Sequence, residues 1–151
     1  MSEAMPEPGL YKELVLDHYR NPRNRGALDG CTHAADGVNA LCGDSLRVEL
    51  VCADDRIAAM RFSGEACAIT TATASMLSEL VAGCGVAEVA ALNVPFDRLL
   101  RGEVEANDAL GPLNALAELR RHPLRRKCAE LPWATLRAAL EGTARVSTET
   151  A

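Results

Sequence analysis

The sequence predicts an α+β protein in which a small antiparallel β-sheet packs against a layer of α-helices within a single domain. The chain has 151 residues, 48% of them hydrophobic and 25% charged, which is typical of one globular domain. Runs of alternating apolar residues lie only in the first half, whereas helical spacing dominates the second half. Strands grouped ahead of helices indicate layers of an α+β fold and not repeated βαβ units.

The first half of the chain is predicted to form one helix and one hairpin. Apolar residues recur at helical spacing from residue 9 to about 20, and the breaker-rich segment Asn21-Pro22-Arg23-Asn24-Arg25-Gly26 ends this helix. Apolar residues then alternate with polar ones at 46–52 and again at 58–62, on either side of Asp54-Asp55. This pattern predicts two antiparallel strands joined by a turn.

The second half is predicted to be helical. A charge-poor segment from about residue 68 to 82 predicts a helix that is largely buried. Shorter helices are expected at 86–92, 95–101 and 112–121, with Pro112 at the first position of the last one. The final helix is placed at about 129–141, because Pro132 then falls in a first turn, where proline is tolerated.

The ends of the chain are expected to be disordered. Residues 1–8 are rich in Pro and Glu, and residues 143–151 show no apolar periodicity. The structured domain is therefore predicted to cover residues 9–142.

Charge and cysteine content narrow the classes of function. A formal charge of -5 argues against a nucleic-acid partner, which would favour a basic surface. The acidic N-terminal residues and the lack of a long apolar run argue against a membrane partner, so we expect a cytoplasmic protein. In that reducing compartment disulfides are not expected, and metal or sulfur chemistry better explains the six cysteines: Cys31, Cys42, Cys52, Cys67, Cys84 and Cys128.

Three of the six cysteines have flanking residues that favour chemistry. In Cys42-Gly43-Asp44, a glycine that permits close approach separates two side chains able to bind metal. Cys67 precedes the buried helix, whose positive end favours a thiolate, and Cys128 follows the cationic Arg125-Arg126-Lys127. The wide spacing is unlike a paired CxxC zinc site, so from these residues alone space-filling thiols remain the simpler interpretation.

Four segments resemble the U-type iron-sulfur cluster assembly family, which includes IscU, SufU and the N-terminal domain of NifU. The matching residues occur in order between about 9 and 141: Leu10-Tyr11 to Asn24, Asn39 to Asp44, Phe62 to Met76, and Arg126 to Trp133. The resemblance implies the SufE/IscU-like fold. It also separates this chain from the scaffold branch, which carries a histidine where this chain has Lys127 and lacks the segment around Asn107 to Pro123.

Both features are similar to the SufU branch, and that resemblance implies a function. The ligands of a resting Zn²⁺ ion would be Cys42, Asp44, Cys67 and Cys128, and Cys42 would accept persulfide sulfur. The implied partners are a SufS-like, pyridoxal-phosphate-dependent cysteine desulfurase, and downstream assembly or acceptor apo-proteins. Such a sulfurtransferase-like relay would not turn over without the desulfurase.

Other interpretations stay open at this point. In the alternative family role, Cys42, Cys67 and Cys128 would bind iron or a [2Fe-2S] cluster that is built on the protein and passed on. A thiol enzyme would need a base beside its nucleophile, and no Cys-His pairing is specific enough to propose one. A purely structural zinc domain would unfold without metal and carry no sulfur.

The remaining candidates have simpler interpretations. Cys52 is expected in the core, Cys84 at a helix end and Cys31 in a loop. His18 is expected to pack or cap and not to bind metal. The basic residues from Arg120 to Lys127 are typical of a solvated face, which could also attract an acidic partner.

Overall fold

A computed structural model describes residues 8–148 and confirms the α+β class and the single domain. In chain order the elements are α1 (Pro8–Arg20), β1 (His33–Asn39), β2 (Asp44–Ala53), β3 (Arg56–Glu65), α2 (Ala68–Val81), α3 (Val86–Ala90), α4 (Asn93–Arg101), a 3₁₀ segment (Asp108–Arg121), α5 (Pro123–Glu141) and β4 (Arg145–Ser147). None of the helices within residues 8–148 has the length and apolar character needed to cross a membrane.

The four strands form a mixed sheet in the order β3-β2-β1-β4. The predicted hairpin is the β2–β3 pair, which is antiparallel, and its turn places Asp54 and Asp55 at φ 53° and 62°. Positive φ at both turn residues matches the twist of the flanking strands. β1 pairs antiparallel with β2, and β4 pairs parallel with β1, so the sheet is larger than predicted and not wholly antiparallel.

β1 was not anticipated because its buried positions carry small or polar side chains. Ala35, Gly37 and Asn39 face inward along this strand. A Cβ on Gly37 would overlap Oγ1 of Thr135 and touch the Leu131 side chain, both on α5. The missing side chain therefore lets α5 lie directly on the strand.

The core lies between one face of the sheet and helices α2 and α5. Val48, Leu50 and Ile57 are fully buried on the sheet side. Helix α2 is buried at ten of its positions, as its lack of charge predicted. Phe96 of α4 stacks on Trp133 of α5 with ring centroids 4.9 Å apart, which adds an aromatic contact to the aliphatic core.

Two helical predictions are corrected by the structure. The segment expected as a helix at 112–121 is a 3₁₀ segment from Asp108, interrupted at Gly111 by φ 53° and ψ -131°. The final helix begins at Pro123 and not at 129, because Pro123 fits the first helical turn. Pro132 consequently lies inside the helix, where it cannot donate to the carbonyl of Cys128 four residues earlier.

The predicted ends of the domain also need correction. The C-terminal segment was expected to be disordered from residue 143, yet Arg145–Ser147 form β4. Backbone hydrogen bonds join Asp36 N–H to Ala144 O at 2.8 Å and Thr148 N–H to Val38 O at 3.2 Å, which explains the order. At the other end α1 begins at Pro8. The rest of the two predicted loose ends, residues 1–7 and 149–151, lies outside the described residues.

The loop after α1 is attached to α2 by side-chain hydrogen bonds. Ser75 Oγ accepts the N–H of Arg23 at 2.8 Å and lies 2.7 Å from Nδ1 of His18, which is buried. Asn24 Nδ2 donates to Ser78 Oγ at 3.0 Å. The Asn-Pro-Arg-Asn sequence therefore fixes α1 against α2, and His18 packs as expected.

Replacing Gly37 with alanine should destabilise the fold. The added Cβ overlaps Thr135 on α5, and overpacking of this kind costs about 1–3 kcal/mol. Urea unfolding should show the loss. Gly9→Ala is the control, because nothing lies within 4 Å of a Cβ there. Equal stability of Gly37→Ala and wild type would contradict the close packing of α5 on β1.

The burial of His18 should make the fold sensitive to acid. Burial lowers the pKa of His18 below its usual 6.5, so the unfolded chain binds the proton first and stability is lost as the pH falls through 6.5. In excess chelator, wild type should lose more stability than His18→Gln between about pH 7.5 and about pH 5.5 in urea unfolding. The same loss in both proteins would assign the acid sensitivity to other groups.

Candidate metal centre

The turn between β1 and β2 places Cys42 at the surface and Asp44 in the interior. Asn39 pairs with Asp44 across the hairpin, so residues 40–43 form its turn, with Gly43 at φ 70°. Cys42 N–H donates to Asn39 O at 3.2 Å. Cys42 is exposed, whereas Asp44, the first residue of β2, is 3% exposed. The predicted half-site is thus a turn with one exposed thiol and one buried carboxylate.

Cys67 is the N-cap residue of α2, as its position before the buried helix predicted. Its Sγ accepts the N–H of Thr70 at 3.5 Å, which satisfies one of the free donors at the helix start. Asp44 Oδ1 accepts the N–H of Cys67 at 2.7 Å. β3 lies close against β2 just before Cys67. This contact depends on Gly64, at φ 124°, because a Cβ there would overlap the carbonyl oxygen of Ser45.

Cys128 brings the third thiol from α5. The side chain is buried, and its Sγ lies 3.2 Å from Sγ of Cys42, the two being 86 residues apart in sequence. The cationic residues before Cys128 form the first turns of α5. The structure thus brings together two predicted cysteines that sequence spacing alone could not connect.

Three of the four predicted ligands form one group whose dimensions suit a tetrahedral metal, and the fourth, Cys67, lies beside it. Ligand atoms of Cys42, Asp44 and Cys128 all lie within 4.8 Å of one another, and Cys67 Sγ lies 3.6 Å from Asp44 Oδ2. Around tetrahedral zinc, with bonds near 2.3 Å to sulfur, neighbouring sulfur atoms are about 3.8 Å apart. Three thiols and one carboxylate fit zinc, and the same thiols fit iron in a cluster.

Comparison with known proteins identifies the family. Residues 10–145 match the NifU-like N-terminal domain. The chain belongs to this family. The family resemblance expected from the four sequence segments is therefore confirmed.

Relatives with either of two functions resemble this NifU-like domain. It is 34% identical over 128 residues to the zinc-dependent sulfurtransferase SufU of Bacillus subtilis (strain 168), covering 84% of this chain and 86% of that protein. It is 35% identical over 136 residues to the iron-sulfur cluster assembly scaffold protein IscU of Streptococcus pyogenes serotype M1, covering 89% and 85%. The crystal structure of FiSufU from Fervidobacterium islandicum AW-1 matches with a TM-score of 0.81 and 26% identity, covering 89% of this chain and 99% of that one.

The thiols of the NifU-like domain have unequal acidity. Hydrogen bonding from the Cys128 thiol, aided by the Thr70 hydroxyl and N–H, lowers the pKa of Cys67 to about 6. The same contact with Cys67, together with burial and the neighbouring Cys42, raises the pKa of Cys128 above its usual range. Cys67 therefore ionises more readily than Cys128, at the positive end of α2.

Two residues near the group were missed from the sequence. Thr70 Oγ1 donates to Asp44 Oδ2 at 2.7 Å and is fully buried. Its position three residues after the N-cap is where a side chain can reach the helix start, and that spacing was the available signal. Tyr11 of α1 is half-buried, and burial raises its pKa, against the charge of Arg125.

The other three cysteines lie at the opposite ends of the elements that carry the group. Cys31 precedes β1, which Cys42 follows, and Cys52 is the next-to-last residue of β2, which Asp44 begins. Cys84 follows α2, and its Sγ donates to Leu80 O at 3.3 Å. Cys52 is half-buried at the edge of the core, beyond an irregularity in β2, and burial raises its pKa. Within residues 8–148 none of the three belongs to a group of side chains able to bind a metal.

Loss of a ligand should lower the zinc content of the NifU-like domain. Protein purified in air should contain about one zinc per chain, since the donor set closes a tetrahedral shell. Cys67→Ser, Cys128→Ser and Asp44→Ala should each reduce this content, measured by elemental analysis, whereas Cys52→Ser should not. A variant that keeps all its zinc would remove that residue from the proposed ligand set.

Proposed function

We propose that this NifU-like domain is a zinc-binding sulfur acceptor in iron-sulfur cluster assembly. It takes persulfide sulfur from a SufS-like, pyridoxal-phosphate-dependent cysteine desulfurase at Cys42 and relays it to cluster assembly. The observation that carries the proposal is the contact between the exposed Cys42 thiol and the buried Cys128 thiol, 3.2 Å away, beside Asp44. The Cys42 thiol can contact another protein while Cys128 and Asp44 stay buried.

The proposal divides the four ligands by their exposure. Asp44 and Cys128 are buried, and Cys67 is half-buried at the start of α2, so these three would keep a metal in place. Cys42 sits on a short turn that few side chains cover. Zinc bound there would keep the thiols deprotonated at neutral pH. Cys42 is consequently the ligand best placed to leave the shell and react.

The chemical step requires only a thiolate and a persulfide. The Cys42 thiolate attacks the terminal sulfur of the desulfurase persulfide, and a new S–S bond forms on Cys42. The S–S bond of the donor breaks, and the electron pair leaves with the desulfurase cysteine as a thiolate. No external oxidant or reductant is needed, because the sulfur moves at the same oxidation level.

The residue before Cys128 supports the sulfur-acceptor branch over the scaffold branch. Lys127 Nζ donates to Thr148 O at 3.0 Å, on the side of α5 that holds β4. Lys127 carries no metal-binding group in its charged form, so this position adds no fifth ligand. The similarity to a protein named as a zinc-dependent sulfurtransferase supports the same branch.

The desulfurase is proposed to dock on the surface around Cys42. Leu41 beside it is 66% exposed, and Leu124, one turn before Cys128, is 67% exposed. Large exposed apolar side chains near a reactive group are typical of a contact surface. Arg121, Arg125 and Arg126 lie in the same region of the chain and favour an acidic partner surface.

The scaffold role is the second candidate. The same thiols could hold a [2Fe-2S] cluster that is built on the domain and passed to apo-proteins. Relatives named as IscU scaffold proteins, 32% and 35% identical to this chain over 136 residues, favour this role as much as the SufU relative favours the other. The sulfur-acceptor role and the scaffold role are therefore distinguished by assays of sulfur transfer and of cluster assembly.

Sulfur transfer is the decisive experiment. With a SufS-like desulfurase and cysteine, the domain should raise alanine production well above the desulfurase alone, because it clears the persulfide from that enzyme. Mass spectrometry should find one added sulfur on Cys42. Cys42→Ser should abolish the stimulation even where zinc is retained, while Cys52→Ser should behave like wild type.

The opposite results assign the other roles. A wild-type domain that assembles a transferable [2Fe-2S] cluster, seen by its visible absorption, yet leaves desulfurase turnover unchanged would be a scaffold. A domain that binds zinc, unfolds without it and never carries sulfur would be a structural zinc protein.

A further inference from the structure

The last residue of β1, Asn39, carries a buried amide without a hydrogen-bond partner. Its side chain is fully buried, and neither Nδ2 nor Oδ1 has a partner among residues 8–148. A buried amide of this kind destabilises a fold, because it has lost its hydrogen bonds to water and gained none in return. Such a group in a folded protein calls for an explanation, and a role in the function of the protein is one.

The amide of Asn39 lies next to the proposed ligands. Asn39 is paired with Asp44 across β1 and β2, and both side chains lie on the buried face of the sheet. Residues that face each other directly in an antiparallel pair have Cβ atoms about 4.5–5.5 Å apart. The amide is therefore within reach of the group that surrounds Asp44.

Part of that group is already hydrogen-bonded. Asp44 accepts the N–H of Cys67 at Oδ1 and the hydroxyl of Thr70 at Oδ2. Cys67 Sγ accepts the N–H of Thr70 at 3.5 Å. The other members of the group are the sulfur atoms of Cys42 and Cys128.

The fold places Cys128 over the buried end of β1, whereas Cys42 lies on the exposed turn beyond it. β4 runs parallel to β1 and follows α5 after a short connection, so α5 runs antiparallel to β1. α5 covers Gly37 through Leu131, and the preceding turn of the helix carries Cys128. That turn consequently lies further along β1, towards its last residue.

A hydrogen bond of Lys127 supports this placement. Lys127 precedes Cys128, and its Nζ donates to Thr148 O at 3.0 Å. Thr148 N–H in turn donates to Val38 O at 3.2 Å. This part of α5 therefore lies beside Val38, and Asn39 is the next residue of the strand.

We propose that Asn39 is a positioning residue whose amide N–H donates to the sulfur of Cys128 when a metal holds that sulfur as a thiolate. The amide is fully buried, so water does not compete for this hydrogen bond. The contact keeps Cys128 in the metal shell while the exposed Cys42 reacts. This inference rests on the proposed zinc site and adds a residue that retains the metal there.

The protonation of Cys128 explains why the amide gains its partner only with the metal. The sulfur of a neutral thiol is a weak acceptor, and the Cys128 thiol donates towards Cys42 Sγ at 3.2 Å. Metal binding displaces the thiol proton and leaves a charged sulfur, which is a stronger acceptor. Asn39 therefore contributes to metal affinity and not to the stability of the metal-free fold.

Asn39→Leu separates these two contributions. Leucine is similar in size to asparagine and has no donor. Partners that hydrogen-bond to metal ligands typically change metal affinity about 10- to 100-fold, so the variant should bind zinc more weakly by that factor in competition with a chromophoric chelator. Urea unfolding in excess chelator should show stability equal to or above that of wild type, because an unpartnered buried amide has been removed. Unchanged zinc affinity would overturn the proposal.

Cobalt bound in place of zinc gives a readout that packing alone does not change. Thiolate-bound Co²⁺ absorbs light by charge transfer from sulfur to the metal, and a hydrogen bond to the sulfur stabilises its electron pair and raises the energy of this transition. The charge-transfer band of Asn39→Leu should therefore lie at longer wavelength than the band of wild type. A band at the wild-type position would overturn the proposal.

Two further variants separate the amide from packing. Thr73→Val is the matched control, because Thr73 is fully buried and its Oγ1 has no hydrogen-bond partner in the part of the chain that the structure describes. It should keep the wild-type zinc affinity and cobalt band. Asn39→Ala leaves a cavity and should be less stable than Asn39→Leu, yet it should lose zinc affinity to the same extent. Equal weakening in Thr73→Val, or an affinity in Asn39→Ala and Asn39→Leu that follows their stability, would overturn the proposal.

The Cys42→Ser background identifies the sulfur that accepts the hydrogen bond. Adding Asn39→Leu to Cys42→Ser should weaken zinc binding by the same factor as in wild type, because Cys128 is still present. Loss of the effect in this background would assign the hydrogen bond to Cys42 and overturn the proposal. A wild type that binds no zinc would overturn the proposed zinc site itself, whereas wild-type zinc affinity in Asn39→Leu would reject only the role of Asn39.

Discussion

The whole site depends on one buried carboxylate that joins the sheet to a helix. Asp44 begins β2, and its Oδ1 accepts the N–H of Cys67 at 2.7 Å at the start of α2. A charged acceptor at a helix N-terminus is favourable because it satisfies free N–H groups and faces the positive end of the helix dipole. Asp44 comes from a different segment than the helix it caps, so this contact also fixes the β1–β2 turn, and with it Cys42, relative to Cys67. The carboxylate is therefore a structural cap as well as a proposed ligand.

This double role would let the proposed site hold a metal and still react. Without a cation, a carboxylate and an ionised Cys67 thiol lie 3.6 Å apart, a repulsion that the helix end and the Thr70 hydroxyl offset in part. A divalent cation removes the repulsion, which favours binding. If Cys42 then left the shell, its thiol would lie on an exposed turn, while Asp44 would keep its protein donors. The surroundings of the four proposed ligands would allow exchange without unfolding.

Sequence reasoning found the parts of the site but not their assembly. The charge-poor helix α2 and the β2–β3 hairpin followed from hydrophobic periodicity, and the cysteine motifs followed from their flanking residues together with the family resemblance. β1 escaped notice because Ala35, Gly37 and Asn39 do not look like a buried strand when read without their partners. The predicted start of α5 was wrong because proline is usually tolerated only in the first turn of a helix, and Pro132 was placed there. Pro132 leaves the carbonyl of Cys128 without its usual helical donor, and the hydroxyl of Thr70 on α2 lies 3.1 Å from that oxygen. A hydrogen bond from another helix has no signature in local sequence.

The missed strand and the misplaced helix are parts of one arrangement. α5 can carry a thiol into the site only if it lies close to the sheet, and Gly37 on β1 provides the space by leaving Thr135 and Leu131 room. Cys128 lies one turn before Leu131 on the same helix, so the packing at Gly37 sets the depth of its thiol. β1 also leads directly into the turn that carries Cys42. A strand of small residues thus positions two proposed ligands at once: Cys42 through the turn that follows the strand, and Cys128 through the helix that packs on it.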